Sequence, residues 1–96
     1  GRNSVLDGNI ATNNNTNGMQ VNGDGNLIEN NRTDDNGRNG ILLTIPAQHN
    51  NVTKNYAHSN VVYDLVDNND NNGPGLCGTN VWSMNDFGTS SNPCIE

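Results

Sequence analysis

Four residues of this chain have the types and spacing that proton chemistry uses. Arg32 and Asp34 alternate in one short segment, and Tyr56 and His58 alternate in another 24 residues later. Aligned, the two segments set Arg32 beside Tyr56 and Asp34 beside His58, with Ile10 and Thr12 at the same two positions upstream. Proton abstraction next to a carboxylate needs a cation to neutralise the substrate's charge, a base and a proton donor within a few ångströms. Arg32, His58 and Tyr56 are the candidates for those roles, with Asp34 facing His58. Hydrolysis of a glycosidic bond asks instead for two carboxylates flanking a groove, and one short, flat repeat face walls no groove. An Asp and a His facing each other on open surface are worth little, so the expectation is a face without catalysis.

A second cluster is acidic. Asp67, Asn69 and Asn71 place oxygens at alternate positions, and Asp70 adds a further carboxylate, which invites a calcium reading. The glycine that should turn such a loop falls late, at Gly73, and no glutamate closes twelve residues. The stretch 67–75, DNNDNNGPG, therefore reads as a solvated surface loop. No cofactor is expected, with calcium at Asp67, Asn69 and Asp70 as the exception to test. Trp82 could stack on a sugar, but its place near a terminal cysteine pair favours a core plug. His49 and Lys54 join no pattern.

The elements that position these residues come from asparagine. Asn9, Asn31, Asn55 and Asn85 lie 22, 24 and 30 residues apart. Three residues before each stands Leu6, Ile28, Val52 or Trp82; two after stands Ala11, Thr33, Ala57 or Phe87. Nine beyond the first three come Gly18, Gly40 and Asp64, each followed by an apolar residue. A period in this range, with short apolar-alternating segments and polar turns, marks a solenoid of stacked coils. Four coils are expected: 1–25, 26–49, 50–78 and a partial 79–96. Their strand-like segments are Val5 and Leu6, residues 19–21, Leu27 and Ile28, residues 41–43, Val52, the run 61–66, and Val81 with Trp82. Equivalent strands must run parallel, because each coil completes a turn before the next begins. Asn at this density opposes helix, so the fold class is all-β in one domain, 1–96. Stacked about 4.8 Å apart, the four anchor asparagines can link their amides into an internal ladder.

Composition fits. Of 96 residues, 23 are Asn and 11 Gly, only 30% are hydrophobic and 4% aromatic. Such a chain would be disordered unless its few apolar residues recur at a fixed period and build one narrow core. A net charge of −6 with four basic residues speaks against nucleic acid and against an anionic membrane surface as partners. No targeting sequence or membrane-spanning run is present, and the expectation is a mature or excised form of an exported protein.

The blocks NLIENNRT (26–33), GILL (40–43) and NNVTKNYA (50–57), and above all the tail CGTNVWSMNDFGTSSNPCI (77–95), resemble the C-terminal coils of right-handed parallel β-helix repeat proteins with a pectin-lyase-like fold. The resemblance covers nearly the whole chain. It implies right-handed coiling and an extracytoplasmic setting, but no single activity, since that architecture hosts polysaccharide lyases, hydrolases, epimerases and passive spacers. For an enzyme of this kind, Arg32, Asp34, Tyr56 and His58 would face a sugar acid. Such helices have more coils and an N-terminal cap, whereas Gly1 here begins inside a repeat.

Cys77 and Cys94 enclose Trp82 and Phe87 at the end of the repeats. A bridge there would pin the last coil shut, worth roughly 3 kcal/mol for a loop of this size. Free buried thiols are the alternative, and a metal site lacks further ligands. A bridge implies an oxidising compartment, hence a secreted or extracellular protein, in the periplasm or at a cell surface. Three functions follow as expectations: a structural rod segment that joins copies of itself end to end through its uncapped first coil; a carbohydrate-binding or polysaccharide-modifying module; and the C-terminal end of a larger β-helix. The first is preferred.

Overall fold

The computed structural model describes residues 3–69 and 76–96. Among them there are eleven short strands and no helix. The chain visits three parallel sheets in turn. β1 (Val5–Asp7), β4 (Leu27–Glu29), β7 (Asn51–Thr53) and β10 (Val81–Ser83) form the first sheet; β2 (Ile10–Thr12), β5 (Arg32–Asp34), β8 (Tyr56–His58) and β11 (Asp86–Phe87) the second; β3 (Met19–Val21), β6 (Asn39–Leu43) and β9 (Tyr63–Asp67) the third. A bridge between Leu65 and Ser90 carries the third sheet one step further. Equivalent residues pair directly: Leu6 with Ile28, Ile28 with Val52, Val52 with Trp82; Ala11 with Thr33, Thr33 with Ala57, Ala57 with Phe87.

Successive side chains of a strand point to opposite faces; in the three-residue strands of the first two sheets the middle residue points inward, whereas in β3 the two ends, Met19 and Val21, do. The core is therefore three columns. Ile28, Val52 and Trp82 are buried in the first, Thr33 and Ala57 in the second, and Ile41, Leu43 and Leu65 in the third. The second sheet has no strong apolar signal, because its interior positions hold only Ala11, Thr33, Ala57 and Phe87. That is why three strands per repeat appear where apolar alternation alone predicts two. At Gly40 a Cβ would collide with the Asp64 main-chain oxygen and lie 2.8 Å from Thr33 Oγ1, so the backbones close up only around glycine.

The corners follow a rule. Gly8, Asn30, Lys54 and Met84, which precede the four anchor asparagines, all have positive φ, as do Gly25 and His49 before Asn26 and Asn50, and Asn13, Asp35 and Ser59 before Asn14, Asn36 and Asn60. One left-handed residue turns the chain, and the asparagine after it points inward.

Two expectations need correction. The third strand of the third repeat starts at Tyr63 rather than Val61; Val61 and Val62 are 75% and 50% exposed and form the corner, donating to Asn36 and Arg38 carbonyls. Asp67, assigned from sequence to a solvated loop, ends β9 and pairs with Leu43 in the interior. Cys77 and Cys94 form a disulfide with Cα atoms 6.0 Å apart.

Candidate functional site

On the outward face of the second sheet the register stacks Ile10, Arg32, Tyr56 and Asp86 in one column and Thr12, Asp34 and His58 in the next. All four sequence candidates thus share one surface, but their partners differ from those expected. Asp34 does not engage His58. The Arg32 guanidinium donates to it from two nitrogens, Nε to Oδ1 at 3.1 Å and an Nη to Oδ2 at 3.2 Å. The same guanidinium carbon lies 4.8 Å from the centre of the Tyr56 ring, which tilts against the His58 ring at 4.5 Å. His58 Nε2 turns to Asp86 Oδ1, 2.7 Å away.

Hydrogen bonding to Asp34, followed by its charge, raises the Arg32 pKa further, so this cation is permanent. The site is a closed relay of neighbours: Asp34 is taken up by Arg32, Arg32 covers Tyr56, and His58 is held by Asp86. Exposed pairs of this kind are worth ~0–1 kcal/mol. Asp86 was missed from sequence, although it follows Asn85 as Arg32 follows Asn31 and could have been read from that register.

A polar groove of about 440 Å³ lies at the corner between the second and third sheets, lined by residues 13–15 and 35–37, Ser59 and Val61. None of the four candidates reaches it.

The acidic cluster is built differently from a cation loop. Asp67 is buried, and its carboxylate faces N–H donors: Trp82 Nε1 at 2.8 Å, Asn80 Nδ2 at 3.2 Å, and the Asn69 main-chain and side-chain nitrogens, both at 2.9 Å. Asn69 thus donates to Asp67 instead of lining up beside it, while Asp70 and Asn71 lie outside the described residues. Among the described residues no group of three or more His, Cys, Asp or Glu is placed to hold a metal ion. Trp82 is buried, with no free face for a sugar.

The anchor asparagines form a continuous ladder. Asn31 Oδ1 accepts from Asn9 N and Nδ2, Asn55 Oδ1 from Asn31 N and Nδ2, and Asn85 Oδ1 from Asn55 N and Nδ2, all at 2.9–3.0 Å. Each upper amide also donates to a carbonyl one layer down, at Leu6, Ile28 and Val52. Three further ladders escaped the sequence reading. Ser4, Asn26, Asn50 and Asn80 form one, Asn14, Asn36 and Asn60 another, and Asn17 with Asn39 a third. The first repeats the 22, 24 and 30 residue steps and the second the 22 and 24 residue steps, the signal that would have revealed them.

Every one of the three longer ladders ends on an acceptor that is not asparagine. Asn60 N and Nδ2 donate to Asp64 Oδ1 at 3.1 and 2.9 Å; Asn80 Nδ2 donates to Asp67; Asn85 N and Nδ2 donate to the main-chain oxygen of Glu96 at 3.4 and 2.7 Å.

The chain matches no family model, no curated protein and no solved structure. With no relative to lend an activity, function rests on the geometry of the ladders, the sheet edges and the Arg32 face.

Proposed function

We propose that this chain is a non-enzymatic structural β-solenoid, a right-handed parallel β-helix of about four coils, secreted or held at a cell surface, that associates end to end into a rod. The observation that carries this reading is the unbroken stacking of its layers, each sheet continuing in register from one repeat to the next. β1, β2 and β3 each pair on one side only. Leu6, Ala11 and Met19 are half-buried where their stacked partners Ile28, Thr33 and Ile41 are fully buried. Asn9 Oδ1 and Asn14 Oδ1, whose counterparts one layer up each accept two donors, accept none from the described residues. Such an edge is a template for another β layer. The disulfide supports an oxidising compartment, and the self-satisfied Arg32 face supports a shape-giving role over a chemical one.

The same edge suits a second reading, in which further coils of a longer β-helix fill it. Electron microscopy and fibre diffraction of the purified chain, oxidised and reduced, test the proposal. Rods with a spacing of about 4.8 Å along their axis are expected. Compact monomers in both states that bind glycans through the Arg32 face would overturn it in favour of a carbohydrate-binding or polysaccharide-modifying module.

A further inference from the structure

Five asparagines precede glycine: Asn17, Asn22, Asn36, Asn39 and Asn72. In such a pair the glycine main-chain nitrogen can attack the asparagine side-chain carbonyl, since a residue without Cβ leaves that nitrogen unhindered and the backbone free to turn. The fold treats the pairs differently. Gly18 N donates to Asn39 O at 2.9 Å and Gly37 N to Asn14 O at 2.7 Å. Asn36 is fully buried, and its amide gives both hydrogens, to Asn60 Oδ1 and Ala11 O. Asn39 is buried at the start of β6, and its amide donates to Asn17 Oδ1. Asn72 lies outside the described residues.

Asn22 is the exception. It stands exposed at the corner after β3. Among the described residues nothing accepts a hydrogen bond from Gly23 N or Asn22 Nδ2, so nucleophile and leaving group are both unencumbered. Asn22 Oδ1, by contrast, takes two donors, Thr44 Oγ1 from the next layer at 2.7 Å and Gln20 Nε2 at 3.3 Å. The Thr44 hydroxyl is 3.3 Å from its other acceptor, Val21 O, so its hydrogen goes to Asn22. Asn17 Nδ2 donates to Gln20 Oε1 at 3.1 Å, which holds the Gln20 amide with its nitrogen toward Asn22. Donors aimed at a carbonyl oxygen stabilise the negative charge that gathers there when the carbon is attacked.

We infer that the Asn22 and Gly23 pair is a self-modification site, where the chain converts a side-chain amide into a carboxylate with water as co-reactant, and that Thr44 and Gln20 form its oxyanion hole. Gly23 N gives its proton to solvent and bonds to Asn22 Cγ, while the C=O electron pair moves onto Oδ1. The pair returns, the Cγ–Nδ2 bond breaks, and Nδ2 takes up a proton and leaves as ammonia. Water then opens the cyclic imide. Addition at Cγ releases Gly23 N and leaves aspartate; addition at the Asn22 main-chain carbonyl leaves isoaspartate. No oxidant or reductant is needed, and each event adds one negative charge to the chain's −6. The fold accepts the aspartate, because both side-chain bonds of Asn22 are accepted at its oxygen and none is given by the amide that is lost. A ladder asparagine has no such latitude, since Asn36 would lose two donated bonds. The isoaspartate inserts a main-chain carbon next to Val21, whose carbonyl accepts from Thr44 N, and so marks aged chains at the junction of the first two layers.

Incubation of the full bridged chain in mildly alkaline water enriched in heavy oxygen, followed by peptide mapping with mass spectrometry, tests this. Label should enter at Asn22 on the order of tenfold faster than at Asn17, Asn36 or Asn39, whose reaction waits on local opening. Urea should bring the four rates together. Thr44→Val should slow the reaction at Asn22 about three- to tenfold, the worth of one hydrogen bond, and Thr44→Ser should restore the parent rate. Gln20→Leu, on the exposed face of β3, is a second probe in case Thr44→Val disturbs the fold, which circular dichroism reads. Asn36 or Asn39 reacting as fast as Asn22 in the folded chain overturns the site. Rates that stay apart in urea place the preference in local sequence and overturn the role of the fold. Slowing in either folded variant supports the oxyanion hole, and a parent rate in both overturns it.

Discussion

The indole N–H of Trp82 donates to Asp67 Oδ2 at 2.8 Å, and both side chains are buried. An aspartate thus occupies the interior position that Val21 and Leu43 fill in the two layers below. It is tolerated there because four N–H groups converge on it. Trp82→Phe should cost about 1–3 kcal/mol beyond lost packing. Asp67→Asn should cost a similar amount, since its new amide hydrogens face existing donors. Urea unfolding of both single variants and the double variant checks this, and additive losses would show that the two residues are not coupled.

Asn31 makes four ladder bonds, two accepted at Oδ1 and two donated from Nδ2 to Leu6 O and Asn55 Oδ1. Asn31→Leu should lower stability by at least about 1–3 kcal/mol, whereas Asn51→Ser, on the exposed face of β7, should stay within about 0.5 kcal/mol of the parent. Equal melting of the two variants would contradict the ladder's role.

Acid should loosen the corner at Asp64. Burial opposes ionisation of this carboxyl, but the Asn60 side-chain amide and the N–H groups of Asn60, Thr89 and Gly88 outweigh it and hold the pKa below 3.8. A depressed folded value means that the contribution is complete above the unfolded value near 3.8 and is lost as pH falls through the folded one. Melting temperature should therefore drop below about pH 4, and Asp64→Asn should flatten that part of the profile from a lower starting point. A parallel profile for the variant would rule out Asp64 as the source.

Thr33 Oγ1 is the one buried side-chain polar atom without a hydrogen-bond partner among the described residues. Thr33→Val keeps the shape and removes the unsatisfied hydroxyl, so it should stabilise the chain by about 1–3 kcal/mol. Thermal denaturation decides; a loss of stability would mean that the hydroxyl has a partner after all.

Met84 and Lys54 sit at φ 54° and 57°, a left-handed conformation that asparagine tolerates better than either. Asn30 already fills the equivalent corner one layer below Lys54 and two below Met84. Met84→Asn should raise stability by up to about 1 kcal/mol, read as a higher urea midpoint, and a lower midpoint would show that corner strain is not limiting.

Much of this architecture was legible because it depends on spacing. Four asparagines with apolar neighbours at fixed offsets dictated short strands, parallel pairing and the main ladder, and the structure pairs Leu6, Ile28, Val52 and Trp82 in that register. The stacking of Asp7 on Glu29 was readable in the same way. That Asn30 Nδ2 lies between them, 3.2 Å from one carboxylate and 3.5 Å from the other, was not, because it depends on which way a corner side chain swings. The second sheet was faint, since Ala and Thr fill its interior.

What the sequence determined alone was periodic: which residues stack, at what interval, and on which face of a strand. Periodicity constrains backbone register directly, because one slip would turn every inward side chain outward. The tertiary structure decided the partners. Arg32 takes Asp34, two residues along its own strand, and His58 reaches diagonally to Asp86, because long side chains on a sheet surface reach same-strand and diagonal neighbours as well as direct ones. Asp67 becomes interior because the donors that satisfy it arrive from Trp82, 15 residues away, and from Asn80, 13 away. Such long-range satisfaction leaves no periodic mark, and only the folded chain brings those groups within hydrogen-bond reach.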